Sequence, residues 1–126
     1  MAYSAAGISS NDVDLAEVHD CFTIAELMAT EDLGFAQRGQ GGSFSREGMG
    51  ILNQGSVCIN PSGGLKSKGH PLGATGTGQA VEVFKQLRGS VEQSRQVRDA
   101  EIGLTHNVGG SGATCAVHIF GRDRNE

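Results

Sequence analysis

Between Gly63 and Gly78 the chain reads GGLKSKGHPLGATGTG, with six glycines, one proline and one histidine in sixteen residues. Glycine at that density lets backbone come close to a neighbour or take left-handed turns that side chains forbid. Three arrangements carry such a run: a phosphate-binding loop, a flexible linker, or a loop that feeds a helix at the floor of a reaction site. The segment GATGTGQA, from Gly73 to Ala80, has the glycine spacing of a phosphate loop. Gln79, however, stands where the lysine is needed, and Ala80 where the magnesium-binding hydroxyl is needed. A linker is excluded because a helix starts inside the run. Pro71 suits a first helical turn, Ala80, Val83, Phe84 and Leu87 recur at i, i+3, i+4 and i+7, and Gly89 ends the pattern. The remaining arrangement places His70 just ahead of a helix N-terminus, which favours an anion or thiolate and disfavours a charged imidazole. A neutral histidine there can take a proton from a thiol or donate to a carbonyl oxygen; its bland alternative is to tie down the turn.

The rest of the chain alternates strand and helix signals. The opening MAYSAAGI reads as the tail of a helix stopped at Gly7, followed by a strand over 13–18. HDCFTIAELMATEDLGF reads as a helix capped by Asp20 or Thr23. Thr23 with Glu26 forms a candidate capping box, Phe22, Ala25, Met28 and Ala29 mark an apolar face, and Leu33-Gly34 marks the end. Residues 35–55 have no period and read as an ordered loop. SVCIN is a short strand, 90–100 a polar connection, EIGLTHN a strand, VGGSG a tight turn and ATCAVHIF a final alternating strand. The order β-α-loop-β-α-β-β predicts one α/β domain over 1–126, with parallel strands and a terminal antiparallel hairpin. No internal repeat is present.

Glycine makes up 20 of 126 residues, against about 7% in an average protein. The excess gathers in Gly39–Gly55, Gly63–Gly78 and Gly103–Gly112, as built loops require. A net charge of −4 carries no nucleic-acid footprint. No apolar run is long enough to span a bilayer, and no signal layout opens the chain, so a cytoplasmic location is expected. Three cysteines, Cys21, Cys58 and Cys115, have no metal-ligand spacing and read as reduced thiols. Cys58 and Cys115 lie on strand patterns and are expected in the core, and His118 is expected to be structural or exposed.

Three segments together carry a resemblance: HDCF at His19–Phe22, NPSGGLKSKGHPLGATG at Asn60–Gly76 and HNVGGSG at His106–Gly112. They resemble the C-terminal half of a thiolase, most closely the sterol-carrier-protein-X type and archaeal acetyl-CoA acetyltransferase subgroup. There HDCF replaces the NEAF of the better-known enzymes, and an HN-x-G segment replaces their C-x-G. The resemblance runs from Ala2 to about Arg122. It implies half of a thiolase fold, a mixed sheet with helices on its faces in α-β-α layers, and acyl-CoA C-acyltransferase chemistry on a 3-ketoacyl-CoA such as acetoacetyl-CoA.

Carried over residue by residue, the resemblance implies that His70 activates the nucleophilic cysteine and then stabilises the thioester oxygen. His19 would help hold the enolate, and the backbone N–H of Gly109 would join a second oxyanion hole. Asn107 stands where the better-known thiolases have their acid/base cysteine. An amide cannot shuttle that proton, and Cys21 is the natural replacement. Gly64, Gly69, Ala74 and His106 are expected to line the substrate, with His106 equally suited to bonding within its turn. Lys66 and Lys68 either face coenzyme A phosphates or are solvated. No metal and no permanently bound cofactor is implied; the coenzyme A thioester is the substrate.

The nucleophilic cysteine of a whole thiolase comes from its N-terminal half, and none of the three cysteines has that setting. The chain is therefore expected to need an N-terminal half or subunit, to be inactive alone, and to form homo- or hetero-oligomers, dimers or tetramers. The family also allows an OB-fold/zinc-ribbon protein that handles coenzyme A. Two alternatives stand beside this reading: a thiolase-like retro-aldolase acting on CoA thioesters of steroid side chains, and a non-catalytic structural or lipid-binding subunit.

Overall fold

A computed structural model describes residues 1–123; the last three positions of the expected 1–126 domain lie outside the described residues. Four strands form one sheet in the order β2-β1-β3-β4, where β1 is Leu15–Glu17, β2 Cys58–Ile59, β3 Ile102–Gly109 and β4 Thr114–Gly121. The central strand β1 pairs in parallel with both β2 and β3, and β3 and β4 form an antiparallel hairpin registered from Ile102↔Gly121 to Gly109↔Thr114. Its turn puts Gly110, Ser111 and Gly112 in succession at φ 56°, 54° and 96°, which explains the glycines of VGGSG.

All three residues of β1 are buried, as a central parallel strand covered on both faces requires. One face carries Ala16, Val18, Leu104 and Val57 against Ala29, Leu33 and Phe44. These come from α2 (Thr23–Asp32), α3 (Gly41–Arg46) and their flanks, with Tyr3 of α1 (Ala2–Ala6) packed alongside. The Tyr3 hydroxyl donates to the carbonyl of Leu33 at 2.8 Å and ties α1 to the end of α2. The opposite face packs Leu15 and Cys58 against Val83 and Leu87 of α5 (Thr75–Leu87), and against Val97 and Ala100. The expected α-β-α layering with a mixed sheet is the one observed. Among the described residues no helix is long and apolar enough to cross a membrane.

Five local expectations are corrected. The 35–55 stretch contains α3, whose first turn is held by the Glu31 carboxylate accepting from the N–H groups of Gly39 (2.9 Å) and Gly41 (2.7 Å). A local period could not reveal a helix of six residues fastened by a side chain ten positions away. The inward face of α2 is Ala29 and Thr30, followed by Leu33, while Phe22 and Met28 are 72% and 55% exposed. The N-cap of α2 is Phe22 and no capping box forms, because Glu26 bonds Asn60 instead. The last glycine-rich helix starts at Thr75 rather than at Pro71, and a short helix, α4 (Gly64–Lys68), precedes it. Pro71 opens a turn whose carbonyl accepts from Ala74 and Thr75 N–H at 2.8 and 3.0 Å. Finally, Cys58 is buried as expected but Cys115 is exposed, since the turn end of the edge strand β4 has no covering layer among the described residues.

Candidate active site

The parallel strands β1, β2 and β3 end on one side of the sheet, the side where open α/β sheets bind ligands. His19, Asp20 and Cys21 follow β1, Asn60 follows β2, and His106 and Asn107 lie toward the end of β3. Asn60 takes a left-handed backbone (φ 51°), and its side chain replaces the next rung of the ladder. Its Oδ1 accepts from Val18 N–H at 2.8 Å and its Nδ2 donates to Glu26 at 3.2 Å. The first residue of NPSGG is thus fixed by a strand end that would otherwise be unpaired.

Two buried carboxylates hold the glycine-rich loop against these strand ends. Glu17, fully buried on β1, accepts from Ser62 N–H at 3.0 Å, Ser62 Oγ at 2.7 Å and Lys68 Nζ at 3.0 Å. Asp20 accepts from Leu65 N–H at 2.7 Å and lies 3.7 Å from Lys66 Nζ. Gly64, at φ 68°, presses against Asp20 so closely that a β-carbon would collide with its carboxylate. Lys66 and Lys68, read as solvated or phosphate-facing, are instead each paired to a buried acid.

His70 emerges from this loop exposed, with its Nδ1 2.7 Å from Thr75 Oγ1. The Thr75 hydroxyl has one hydrogen and donates it to the Pro71 carbonyl at 3.1 Å. It therefore accepts from His70, which assigns the proton to Nδ1 and leaves Nε2 as the basic nitrogen. The His19 ring stands edge-on to His70, with centroids 4.9 Å apart at an interplanar angle of 85°. Asn107 comes from β3 beside His19, where its side chain acts against the effect of burial on the ring. The first turn of α5 approaches from the other side, where a β-carbon on Gly76 would sit 2.7 Å from Asn107 Nδ2.

Burial is the main cause that holds His19 below the ordinary histidine range; the charge of His70 adds to it, and Asn107 and Asp20 oppose it. His106 is likewise held low, first by burial and then by His19, against Asp32. Both are buried with Nδ1 unpartnered among the described residues. Neighbouring imidazoles of this kind favour the neutral state, in which a ring can both donate and accept. The unfolded chain binds these protons more readily, so their contribution is complete above histidine's ordinary value near 6.5 and is lost as pH falls through it. We expect the urea midpoint to fall between about pH 7.5 and pH 5.5, and His19→Asn to flatten that slope. An unchanged slope would refute the assignment. Asp12 and Glu31, both lowered by backbone hydrogen bonds, act in the lower carboxylate window.

The structure brings His19, His70 and Asn107 together, with His106 electrostatically coupled to His19. Cys21 is exposed beside them in sequence. Ala74 is the N-cap of α5, and Gly69 (φ 87°) faces open space. Gly109 lies at the hairpin end, where a β-carbon would meet Thr114 Oγ1 at 2.9 Å. Gly64 faces Asp20. Cys58 is pushed up to about 12 by burial and by Glu17 and Glu82, so its thiol stays protonated. Reading the sequence passed over Glu17, Asp20, Thr75, Gly76 and Gln79 as parts of this site. Only Glu17, an acid inside the apolar run DLAEV, carried a legible signal.

The thiolase C-terminal domain-like family matches residues 1–122. Acetyl-CoA acetyltransferase of Methanothermobacter thermautotrophicus is 55% identical over 121 residues, which is 96% of this chain and 31% of that protein. Human sterol carrier protein 2 is 48% identical over 111 residues, 88% of this chain and 20% of that protein. The chain thus spans a third or less of these relatives. Among solved structures, the Ltp2-ChsH2(DUF35) aldolase superposes with a TM-score of 0.82 at 27% identity, over 99% of this chain and 31% of that one. The family match over residues 1–122 and the similarity of these relatives over most of this chain agree: the chain belongs to the thiolase C-terminal domain-like family.

Proposed function

We propose that this domain supplies the C-terminal half of an acyl-CoA C-acyltransferase site that forms or cleaves a 3-ketoacyl-CoA such as acetoacetyl-CoA. The observation that carries this reading is the meeting of His70, with Nε2 free to accept, and His19 at the parallel strand ends. In the cleavage direction, His70 Nε2 takes the proton of a cysteine thiol supplied by the remainder of the enzyme. The thiolate attacks the 3-keto carbon, and the C2–C3 bond breaks. The electron pair moves onto the thioester as an enolate, held by N–H donors of His19 and His70. Cys21 gives a proton to C2, releasing acetyl-CoA, and then takes the proton of a second coenzyme A thiol, whose thiolate removes the acyl group; the departing cysteine thiolate recovers its proton from His70. The Gly109 N–H holds the oxygen of the tetrahedral intermediates, Asn107 orients His19, and His106 lines the pocket. Gly64, Gly69 and Ala74 form the loop wall along which the substrate passes, and Gly64 does so through its contact with Asp20.

The partner is the polypeptide region that carries the nucleophile. The eight-residue edge strand β4 and the exposed Val81 and Phe84 of α5 are surfaces for such an association. An OB-fold/zinc-ribbon protein that handles coenzyme A is a further partner, in keeping with the DUF35 component in the name of the solved aldolase. That similarity also favours a second reading, retro-aldol cleavage of a 3-hydroxyacyl-CoA, in which the same donors hold the same enolate. The two differ in their need for a thiol. Acetoacetyl-CoA thiolysis consumes free coenzyme A, whereas retro-aldol cleavage does not and releases a carbonyl compound. Assay of the assembled protein on both substrates tests the proposal, and turnover of the 3-hydroxyacyl-CoA alone would overturn it in favour of the second reading.

A further inference from the structure

Gln79 is fully buried on the second turn of α5, yet it points a carboxamide at two backbone carbonyls. Its Nε2 donates to Glu17 O at 3.3 Å and to His106 O at 3.1 Å. Those carbonyls belong to neighbouring strands at the place where their pairing stops, since the last registered pair of β1 and β3 is Glu17↔Thr105. Beyond that point the strands have no ladder to hold them, and His19 and Asn107 stand two residues and one residue further on. Gln79 Oε1 is buried with no partner among the described residues. Native structures retain few such oxygens.

We infer that Gln79 is a positioning residue that sets the separation of His19 and Asn107 by bridging the ends of β1 and β3. The inference rests on the reaction proposed above. The chemistry explains the residue type: one NH₂ group offers two hydrogens to two acceptors, a role no apolar side chain and no carboxylate can fill. It also explains why a polar residue occupies a helix position that packs against a sheet.

The test uses Gln79→Met and Gln79→Glu in the chain assembled with the polypeptide that completes the site. Methionine keeps the volume and removes both donors. Glutamate faces two carbonyls with acceptors only, until it protonates and regains one donor. Other titratable groups near this position are Glu17, held by Lys68 and Ser62; Glu82 one turn on, held by Arg95; His19 and His106; and Cys115 and His118, which share a cavity wall with Gln79. Dividing the Gln79→Glu profile by that of Gln79→Met removes their common contribution.

We expect Gln79→Met to lower kcat for acetoacetyl-CoA thiolysis about 10²-fold, the scale of a catalytic group displaced by about 1 Å, with KM little changed. Gln79→Glu is expected to match it at alkaline pH and to recover as pH falls. A variant that loses thermal stability but keeps kcat, or a pH-independent ratio of the two, would overturn the inference. If Gln79→Met does not fold, the ratio of Gln79→Glu to the unsubstituted assembly decides on the same criterion. If that assembly does not turn over at all, the reaction reading fails, and imidazole NMR still decides this inference. A His19 titration midpoint moved by Gln79→Met supports it, and an unmoved midpoint overturns it.

Discussion

If the proposed reaction holds, replacing His70 with alanine is expected to lower acetoacetyl-CoA thiolysis by the assembled enzyme about 10³-fold or more, and to leave the fold as stable as before. The size follows from the two roles given to one ring. A positioned general base contributes about 10²–10⁴-fold, and loss of a single preorganised donor to an oxyanion costs about 10²–10³-fold. The proton on Nδ1, fixed by Thr75 and through it by the Pro71 carbonyl, leaves Nε2 free to act in both ways. Stability is spared because His70 is exposed, and an exposed substitution of this kind changes stability by about 0.5 kcal/mol or less. Steady-state kinetics and thermal melts on the same preparation check both halves of the expectation. A loss of less than tenfold would remove His70 from the chemistry.

The Glu17→Ala substitution has the converse signature, a large loss of stability from a residue assigned no chemical step. Its carboxylate is fully buried and satisfies one backbone N–H, one hydroxyl and one ammonium. Its removal strands the Ser62 N–H and leaves Lys68 with the Ser62 hydroxyl but no counter-charge at this site. Breaking a buried ion pair costs about 3–5 kcal/mol; because about a third of the Lys68 side chain is exposed, the lower end, about 3 kcal/mol, applies here. The loop from Ser62 to Lys68 leads directly into His70, so activity falls with order in the loop. Urea unfolding measures the effect, and a loss below about 1 kcal/mol would place the pair among ordinary surface ion pairs.

The fold was largely legible in the sequence because its signals are local. Strand β2 reads as the apolar run VCI, the hairpin as two strand patterns around VGGSG, and α5 as a helical period, although of its expected stripe Val83 and Leu87 face the core while Phe84 is 55% exposed. The glycine-rich stretch, with HDCF and HNVGG, pointed to one site, and the strand ends bring their polar members together. What stayed hidden depends on contacts far apart in sequence. Glu17 meets Lys68 across 51 positions, Asp20 meets Leu65 across 45 and Gln79 meets Glu17 across 62. No period or spacing encodes such pairs. The apolar face of α2 was misread for a related reason. Phe22 and Met28 fit the helical period as well as Ala29 and Leu33 do, and only the packed sheet shows which side faces inward. For Cys115, alternation along β4 marks two faces without saying that the turn end is covered on neither.

The central claim is a division of labour, in which this domain provides the base and the enolate donors while the cysteine nucleophile lies outside residues 1–126. The measurement that tests it most directly is mass spectrometry of the assembly after brief exposure to acetoacetyl-CoA, with peptide mapping of the acyl adduct and the thiolysis rate taken on the same sample. The account predicts turnover, with the adduct on a cysteine outside these 126 residues; it also predicts that the adduct disappears with His70→Ala. An adduct on Cys21, or turnover by this chain alone, would contradict it.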